Sequence, residues 1–567
     1  MNRPLITIQC GNYSNYIGSH FWNLQESGFV YKDDNTPGVN QSEDLLEIDN
    51  DVLYREGVTN NKEVTYTPRL IAVDLKGSLG ALPECGDLYG KITIPKEESL
   101  SLHWAGGHQV FREEPFVKND FLTELEENSD NVLNEKDIDT DIEETDKDVP
   151  NNDSKLYNLE DCVRFWSDYL GARYHPRSIL LCENFQHNNA MHPFDAWGLG
   201  RDVWTDSSNF CDNMEDRIRN YAEECDVLGG FQVVADYHDG FGGLSSCLMD
   251  LLSDEYNNKP VLSFPTSPAQ FPSQNSAEGG ARVAGACLSI TKHLQSGLVS
   301  PLCLARDWFP LPGHVTTLPH VSYTCDSAYS SSAVLALALD TATLQYRRRS
   351  AGLTPSDVCS GLRTNGRNVA TIAMELPMAM SPSVTQYFES KLLTNTIPLL
   401  PGISSGSNNS QCSYNSLVSI RGMKSSALFS KRSPTYKPCQ DPASYIKSCI
   451  MNTVPGCRPV CSFVTKPVMT GKPFPHIFNK NVNGFGEISQ DYSRPENVGV
   501  TFTTSLTNWN VGPSSESSLK RLAERSSKLN LSKLHRLTET GVDSEEWMES
   551  LETLRQQIDN YSDENNY

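Results

Sequence analysis

No stretch of the 567-residue chain approaches the roughly 18 consecutive apolar residues of a membrane-spanning helix. Cationic side chains are in deficit, with 47 Lys and Arg against 71 Asp and Glu and a net charge of −24. That rules out a global basic footprint for nucleic acid, and no nucleic-acid partner is expected. The opening, Met1 to Gln9, reads as a short strand and has neither a secretory leader nor the Arg-rich amphipathic helix of a transit peptide. Asn2 stands where myristoylation needs glycine, and the C-terminal Asn-Asn-Tyr567 offers no prenylated cysteine. Any membrane association is therefore expected to be peripheral. The sixteen cysteines form no dense framework and read as reduced thiols. Cys439, Cys449, Cys457 and Cys461 contain one short ligand pair where structural zinc sites usually have two, so free cysteines are preferred and no metal is assigned.

Three regions look unlike a core. Residues 31–63 are polar. Residues 121–150 carry twelve acids against Lys136 and Lys147, which reads as an exposed, solvated acidic loop. Residues 511–567 form a charged tail, basic first (Lys520, Arg521, Arg525) and acidic after Gly541. There Trp547, Leu551, Leu554, Ile558 and Tyr561 recur at helical spacing, and docking of that stripe on the body is the preferred reading.

Between these regions strand, turn and helix alternate. Leu5–Cys10, Leu70–Leu75 and Gly230–Asp236 read as strands. Asn158–Leu170, Met214–Cys225 and Ser332–Leu344 read as helices, and a further helix carries Leu244, Leu248 and Leu252. Val369–Met374 and Val498–Thr503 read as strands of a second unit. The order predicts an α/β sheet with ligand loops at its strand ends.

Two Gly-containing turns join a strand to a helix. Gln9 to Gly18 would present free helix N–H groups to phosphate. His238-Asp-Gly-Phe-Gly-Gly243 allows close backbone approach but lacks the Walker spacing and lysine. Asp239 there repels an anion unless a cation intervenes. Asp74, at a strand end, suits a ligand-facing carboxylate or a plain helix cap. His103, His108, His187 and His192 lack ligand spacing and read as surface or structural residues. Ser245 and Ser246 follow Gly243-Leu244 outside a nucleophile elbow, with no assignable histidine and acid.

Taken together these segments resemble tubulin. Ile8-Gln-Cys-Gly-Asn-Tyr-Ser-Asn-Tyr-Ile-Gly18 through Trp22 is similar to its first nucleotide loop and helix. Pro68-Arg69 through Val73-Asp-Leu75, Trp104-Ala-Gly-Gly-His108 and Cys225-Asp-Val-Leu-Gly-Gly-Phe-Gln232 match further strings in order. His238–Leu244 aligns with the family's GGGTGSG, with Phe241 in place of threonine and Asp239 in place of a glycine. Tyr13 and Tyr16 also depart, and Lys76 replaces an acid. Phe165–Leu170, Tyr174–Ser178, Phe194-Asp-Ala-Trp-Gly198 and Tyr323–Arg348 resemble segments specific to the Misato family of divergent tubulin-like proteins.

The resemblance implies an α/β tubulin/FtsZ-like fold. It places a Rossmann-type nucleotide-binding domain at 1–350, a second α/β domain at 351–510 and a helical tail at 511–567. It implies a degenerate guanine-nucleotide site for GTP or GDP at Gly11, Asn12, Asn15, Asp74, Gly240 and Gly242. The departures argue against turnover, so neither catalytic residue nor cofactor is assigned. It also implies a role in mitochondrial distribution and morphology, in the cytoplasm and at the mitochondrial outer membrane. For some relatives a role in spindle microtubules and chromosome segregation is implied. Protein partners are expected, with tubulin and a cytosolic chaperonin as candidates. A GTP-binding protein with weak GTPase activity is the alternative.

Overall fold

The computed structural model describes residues 3–29, 47–58, 64–86, 116–135, 157–271 except 207, and 276–562. Within that last span 309–312, 350–351, 381–383, 404–414, 425–438 (save Leu428), 440, 455, 490–492 and 496–497 are excepted. His103, Trp104 to His108, and the second half of the acidic stretch lie outside the described residues.

Apolar runs at the predicted places form a first sheet. Its strands are β1 (Leu5–Cys10), β2 (Leu70–Lys76), β3 (Ile179–Gln186), β4 (Gly230–Asp236), β5 (Val261–Ser267), β6 (Leu298–Val299) and β7 (Leu302–Cys303). All pairs are parallel, in the order β3-β2-β1-β4-β5-β6, with β7 also beside β5. The strand sequence reverses direction between β1 and β4, so the carboxyl ends of those two strands border a crevice.

Helices cover both faces, as an all-parallel sheet requires. On one face Ile6, Ile8, Cys10, Val233 and Ala235 meet α3 (Trp197–Asp206), α4 (Ser208–Glu223) and α5 (Gly240–Glu255). On the other lie α1 (Asn12–Glu26) and α6 (Ser276–Ser296), and α7 (Ala328–Arg347) packs on α1.

A second, mixed sheet has the order β9-β8-β12-β10-β11, from β8 (Thr371–Glu375), β9 (Ile397–Pro398), β10 (Asn415–Arg421), β11 (Arg458–Val464) and β12 (Ser505–Val511). Only β10 and β11 run parallel. Helix α7 lies between this sheet and α1, and is buried from Tyr329 to Arg347. Such burial leaves no polar face, so its charges need internal partners. Asp340 bonds Arg347 at 2.7 Å, Gln25 of α1 at 2.8 Å, and Arg421 of β10. Burial pushes the Asp340 carboxyl up, but Arg421 and Arg347 outweigh it and hold it below the ordinary value.

The tail docks on the body as its apolar stripe predicts. Helix α8 (Pro513–Ser527) and α9 (Ser544–Ser562) pack on each other and on α6, with Trp547, Leu551, Leu554 and Tyr561 buried. The Tyr561 hydroxyl donates to the Val369 carbonyl at 2.6 Å. Part of the basic half is used internally, since Arg521 and Arg525 both reach Asp307.

Four expectations need correction. Asn158–Leu170 is a loop ending in a 3-10 turn, Trp166–Tyr169, because Asp168 turns back to accept the Arg164 and Phe165 N–H groups at 2.7 and 2.9 Å. Of Val498–Thr503 only Phe502–Thr503 pairs, with Val468–Met469. The acidic stretch begins as a helix, α2 (Asp120–Glu135), anchored by buried Phe121 beside Tyr157. Within residues 31–63, Val52, Leu53 and Tyr54 belong to the core, with Tyr54 edge-on to Trp22.

Candidate functional site

The crevice between β1 and β4 gathers most of the residues singled out from sequence. Gly11 leaves β1 at φ +122°, a conformation that favours glycine, and a Cβ there would lie 2.5 Å from Asp236 Oδ2. Helix α1 starts at once, leaving its first N–H groups without helical partners. Asp236, the last residue of β4, takes two of them: Oδ2 accepts from Tyr13 N–H and Oδ1 from Ser14 N–H, each at 2.9 Å. The Thr266 hydroxyl donates to Oδ1 at 2.8 Å. The position where a helix N-terminus would hold a phosphate is thus held by a carboxylate of the chain itself. Burial, then the nearby Asp239 charge, pushes the Asp236 carboxyl up, against the three donors that favour its charged form.

The second loop repeats this device. Asp239 caps α5, its Oδ1 accepting the Phe241 N–H at 3.0 Å. Burial first, then Asp74 and Asp195, push its pKa up to about 7. Asp74 Oδ2 accepts from Asn15 Nδ2 at 3.0 Å and Trp166 Nε1 at 2.8 Å, while Oδ1 accepts the Leu75 N–H. Its carboxyl is also pushed up by burial. Lys76 is exposed and pairs with none of these acids. Among the described residues no three His, Cys, Asp or Glu side chains are placed to hold a metal ion.

The glycines of the loop serve a different contact. A Cβ on Gly243 would lie 1.8 Å from the Trp197 carbonyl, and one on Gly200 would lie 1.8 Å from the Gly240 carbonyl. Helix α3 therefore rests backbone to backbone on the first turn of α5. Gly242 is closed in by Ser289 and the Tyr237 carbonyl. Phe241 is buried edge-on to Phe194, at 5.0 Å between ring centroids, and the Phe194 carbonyl accepts the Gly240 N–H.

Both segments flanking the crevice are ones whose sequence resembles segments specific to the Misato family. Phe194–Gly198 leads into α3. Across from it, the Trp166–Tyr169 turn reaches Asp74 through Trp166, and the Tyr169 hydroxyl donates to the Tyr16 carbonyl at 2.8 Å. The two tyrosines of the first loop face inward: Tyr16 donates to the Arg164 carbonyl at 2.9 Å and Tyr13 to Ser331 Oγ of α7 at 3.1 Å.

Gly11, Asn15, Asp74, Gly240 and Gly242 thus meet at one crevice, while Asn12 stands half-buried on the first turn of α1. Sequence reasoning missed Asp236, Trp166, Thr266 and Gly200. Asp236 had a signal, an acid ending a buried run, the same mark that identified Asp74. As arranged, these residues do not fit a polyphosphate. The Tyr13, Ser14 and Phe241 N–H groups are engaged, Gly240 and Gly242 are closed in by Phe194 and Ser289, and Asp239 lies within electrostatic reach of both Asp236 and Asp74.

Ser245 does have a histidine partner that spacing did not reveal. His293 Nε2 lies 3.1 Å from Ser245 Oγ, and its Nδ1 lies 2.7 Å from Ser263 Oγ. All three side chains are buried, with serine where a triad has its acid, so the group is a polar tie between α5, α6 and β5.

Residues 3–127 match the Misato Segment II tubulin-like domain, and residues 157–348 match the Tubulin domain. Protein misato homolog 1 of Danio rerio is 32% identical over 523 residues, 87% of this chain and 85% of the relative. Protein misato of Drosophila melanogaster is 29% identical over 591 residues, 99% of each chain. Protein dml1 of Aspergillus clavatus is 31% identical over 346 residues, 61% of this chain and 60% of the relative.

Proposed function

The chain belongs to the Misato family of tubulin-like proteins, and on that premise we propose that it acts as a tubulin-like scaffold, not as a nucleotide-driven enzyme. The observation that carries this reading is the Asp236 carboxylate bonded to the Tyr13 and Ser14 N–H groups, where an exchangeable phosphate would have to bind. A fold that spends its phosphate-facing groups on internal bonds retains its surfaces for other proteins.

The setting of that role is mitochondrial distribution and morphology, with the chain in the cytoplasm and peripherally on the mitochondrial outer membrane. Organisation of spindle microtubules and chromosome segregation extend the same role. Tubulin and a cytosolic chaperonin are the candidate partners, since a tubulin-like body presents related surfaces. No helix among the described residues is long and apolar enough to cross a membrane.

Cells depleted of the chain are expected to show collapsed or fragmented mitochondria, restored by re-expression, and alkaline carbonate is expected to strip the chain from mitochondria. Normal mitochondria after depletion, or full retention after carbonate, would end this reading. Magnesium-dependent phosphate release from GTP by the purified chain would replace it with a GTPase.

A further inference from the structure

Among the described residues the first sheet ends at β3, which pairs there only with β2. Ala72 pairs with Ile179, and its N–H bonds the Ser178 carbonyl at 2.6 Å. In a parallel ladder that phase turns both backbone groups of Leu180 towards β2 and leaves those of Ile179 and Leu181 facing outward. Natural edges are commonly guarded by lysine, proline or a bulge. Ile179-Leu-Leu-Cys182 has neither residue, and the irregularity in the ladder comes only after Cys182.

Along this edge runs a groove of about 820 Å³, floored by residues 179–184 and walled by α3, α4 and the Glu84–Cys85 turn. Its charge is one-sided. Glu84, Glu183, Asp206 and Asp212 are exposed around it, and Arg217 is the cation at its lining. Backbone donors and acceptors in a row select an extended peptide over a compact ligand, and the carboxylates select its charge.

We infer that the outer edge of β3 accepts an extended, cationic segment of a partner protein by strand addition, hydrogen-bonded at the N–H and C=O groups of Leu181. On the helical side its side chains would lie over Phe210 and Val203 and reach Asp206 and Asp212. This inference names a docking mode for the scaffold role but does not depend on the state of the β1/β4 crevice, so either can fail alone.

Two measurements on the full chain test it. In amide hydrogen exchange the isolated protein should exchange Leu181 quickly and Leu180 slowly. Protection of Leu181 without a partner would mean that the chain covers its own edge, and would overturn the inference. In fluorescence anisotropy, a short labelled peptide alternating valine and lysine should bind saturably and weaken with salt, while its glutamate counterpart should not bind. Leu181→Pro removes one outward N–H at a position where an edge strand tolerates proline, and should weaken binding about tenfold. Asp206→Lys with Asp212→Lys, on the helical wall, should weaken it at least as much. Melting temperatures establish that both variants fold. No saturable binding, equal binding of the two peptides, or equal binding by both variants and the parent chain would overturn the inference.

Discussion

Two buried carboxylate clusters in this molecule differ in one respect, and that respect separates their roles. At the joint between the two sheets, Asp340 is shared by two guanidiniums and an amide, from Arg347, Arg421 and Gln25. At the crevice, Asp74, Asp236 and Asp239 bond no Lys or Arg among the described residues: Asp239 has the His238 ring, kept neutral by burial, at 3.5 Å, and the three rely otherwise on backbone N–H, amide, indole and hydroxyl donors. In the first, the carboxylate is compensated by cations bonded to it, and the group ties α1, α7 and β10 together. The second concentrates negative charge where the fold would otherwise attract an anion. Compensated burial ties elements together, and on the proposed reading uncompensated burial works against an anionic ligand.

Their pH signatures are opposite. Asp340 is held below its ordinary value, so its contribution to stability is complete above its unfolded pKa and is lost as pH falls through the folded one. Asp239 is raised to about 7, so the folded state binds its proton more tightly than the unfolded state does. Its contribution therefore weakens as pH rises from about 4 through 7.

The contrast can be broken most severely at Asp340. Asp340→Asn leaves two guanidiniums buried with a neutral partner and is expected to cost about 3–5 kcal/mol in urea unfolding. A loss under 1 kcal/mol would mean that the arginines find water or another partner. At the crevice the large effect should come from packing. Gly243→Ala drives a methyl into the Trp197 carbonyl and should cost about 1–3 kcal/mol by separating α3 from α5. Asp236→Ala uncaps α1, at a cost of about 1–2 kcal/mol in thermal unfolding. It also frees two N–H groups, so nucleotide affinity should rise relative to the parent chain. Asp239→Asn has the smallest effect and the most specific one. Its amide oxygen can still cap Phe241, and it should flatten the melting temperature against pH between 5 and 8. A slope identical to that of the parent chain would place Asp239 in an ordinary solvated setting.

Much of this was legible in the sequence, for identifiable reasons. Leu5–Cys10 and Gly230–Asp236 are strongly apolar runs ending at turns, so strand type and both ends agree with the structure. The tail stripe from Trp547 to Tyr561 has helical spacing and is buried as that spacing requires. The segment 158–170 misled because Val163, Trp166 and Leu170 mimic a helical period. Trp166 instead seeks a carboxylate from β2, a tertiary demand that local pattern does not encode. At the crevice, Gly240 and Gly242 looked like phosphate-approach residues. Their close neighbours include the Phe194 ring and Ser289, each more than forty residues away in sequence. Asp236 carried the same strand-end mark as Asp74, but its partners on α1 lie 222 and 223 residues away in sequence.

The most direct measurement is the nucleotide content of the chain purified natively with magnesium. The protein is denatured, the supernatant is resolved by anion exchange, and intact protein is titrated with GTP in parallel. With Asp236 holding the N-terminus of α1, the expected result is no GDP or GTP in the supernatant and no saturable affinity. Near-stoichiometric nucleotide would contradict it and show that the carboxylate cap yields to phosphate.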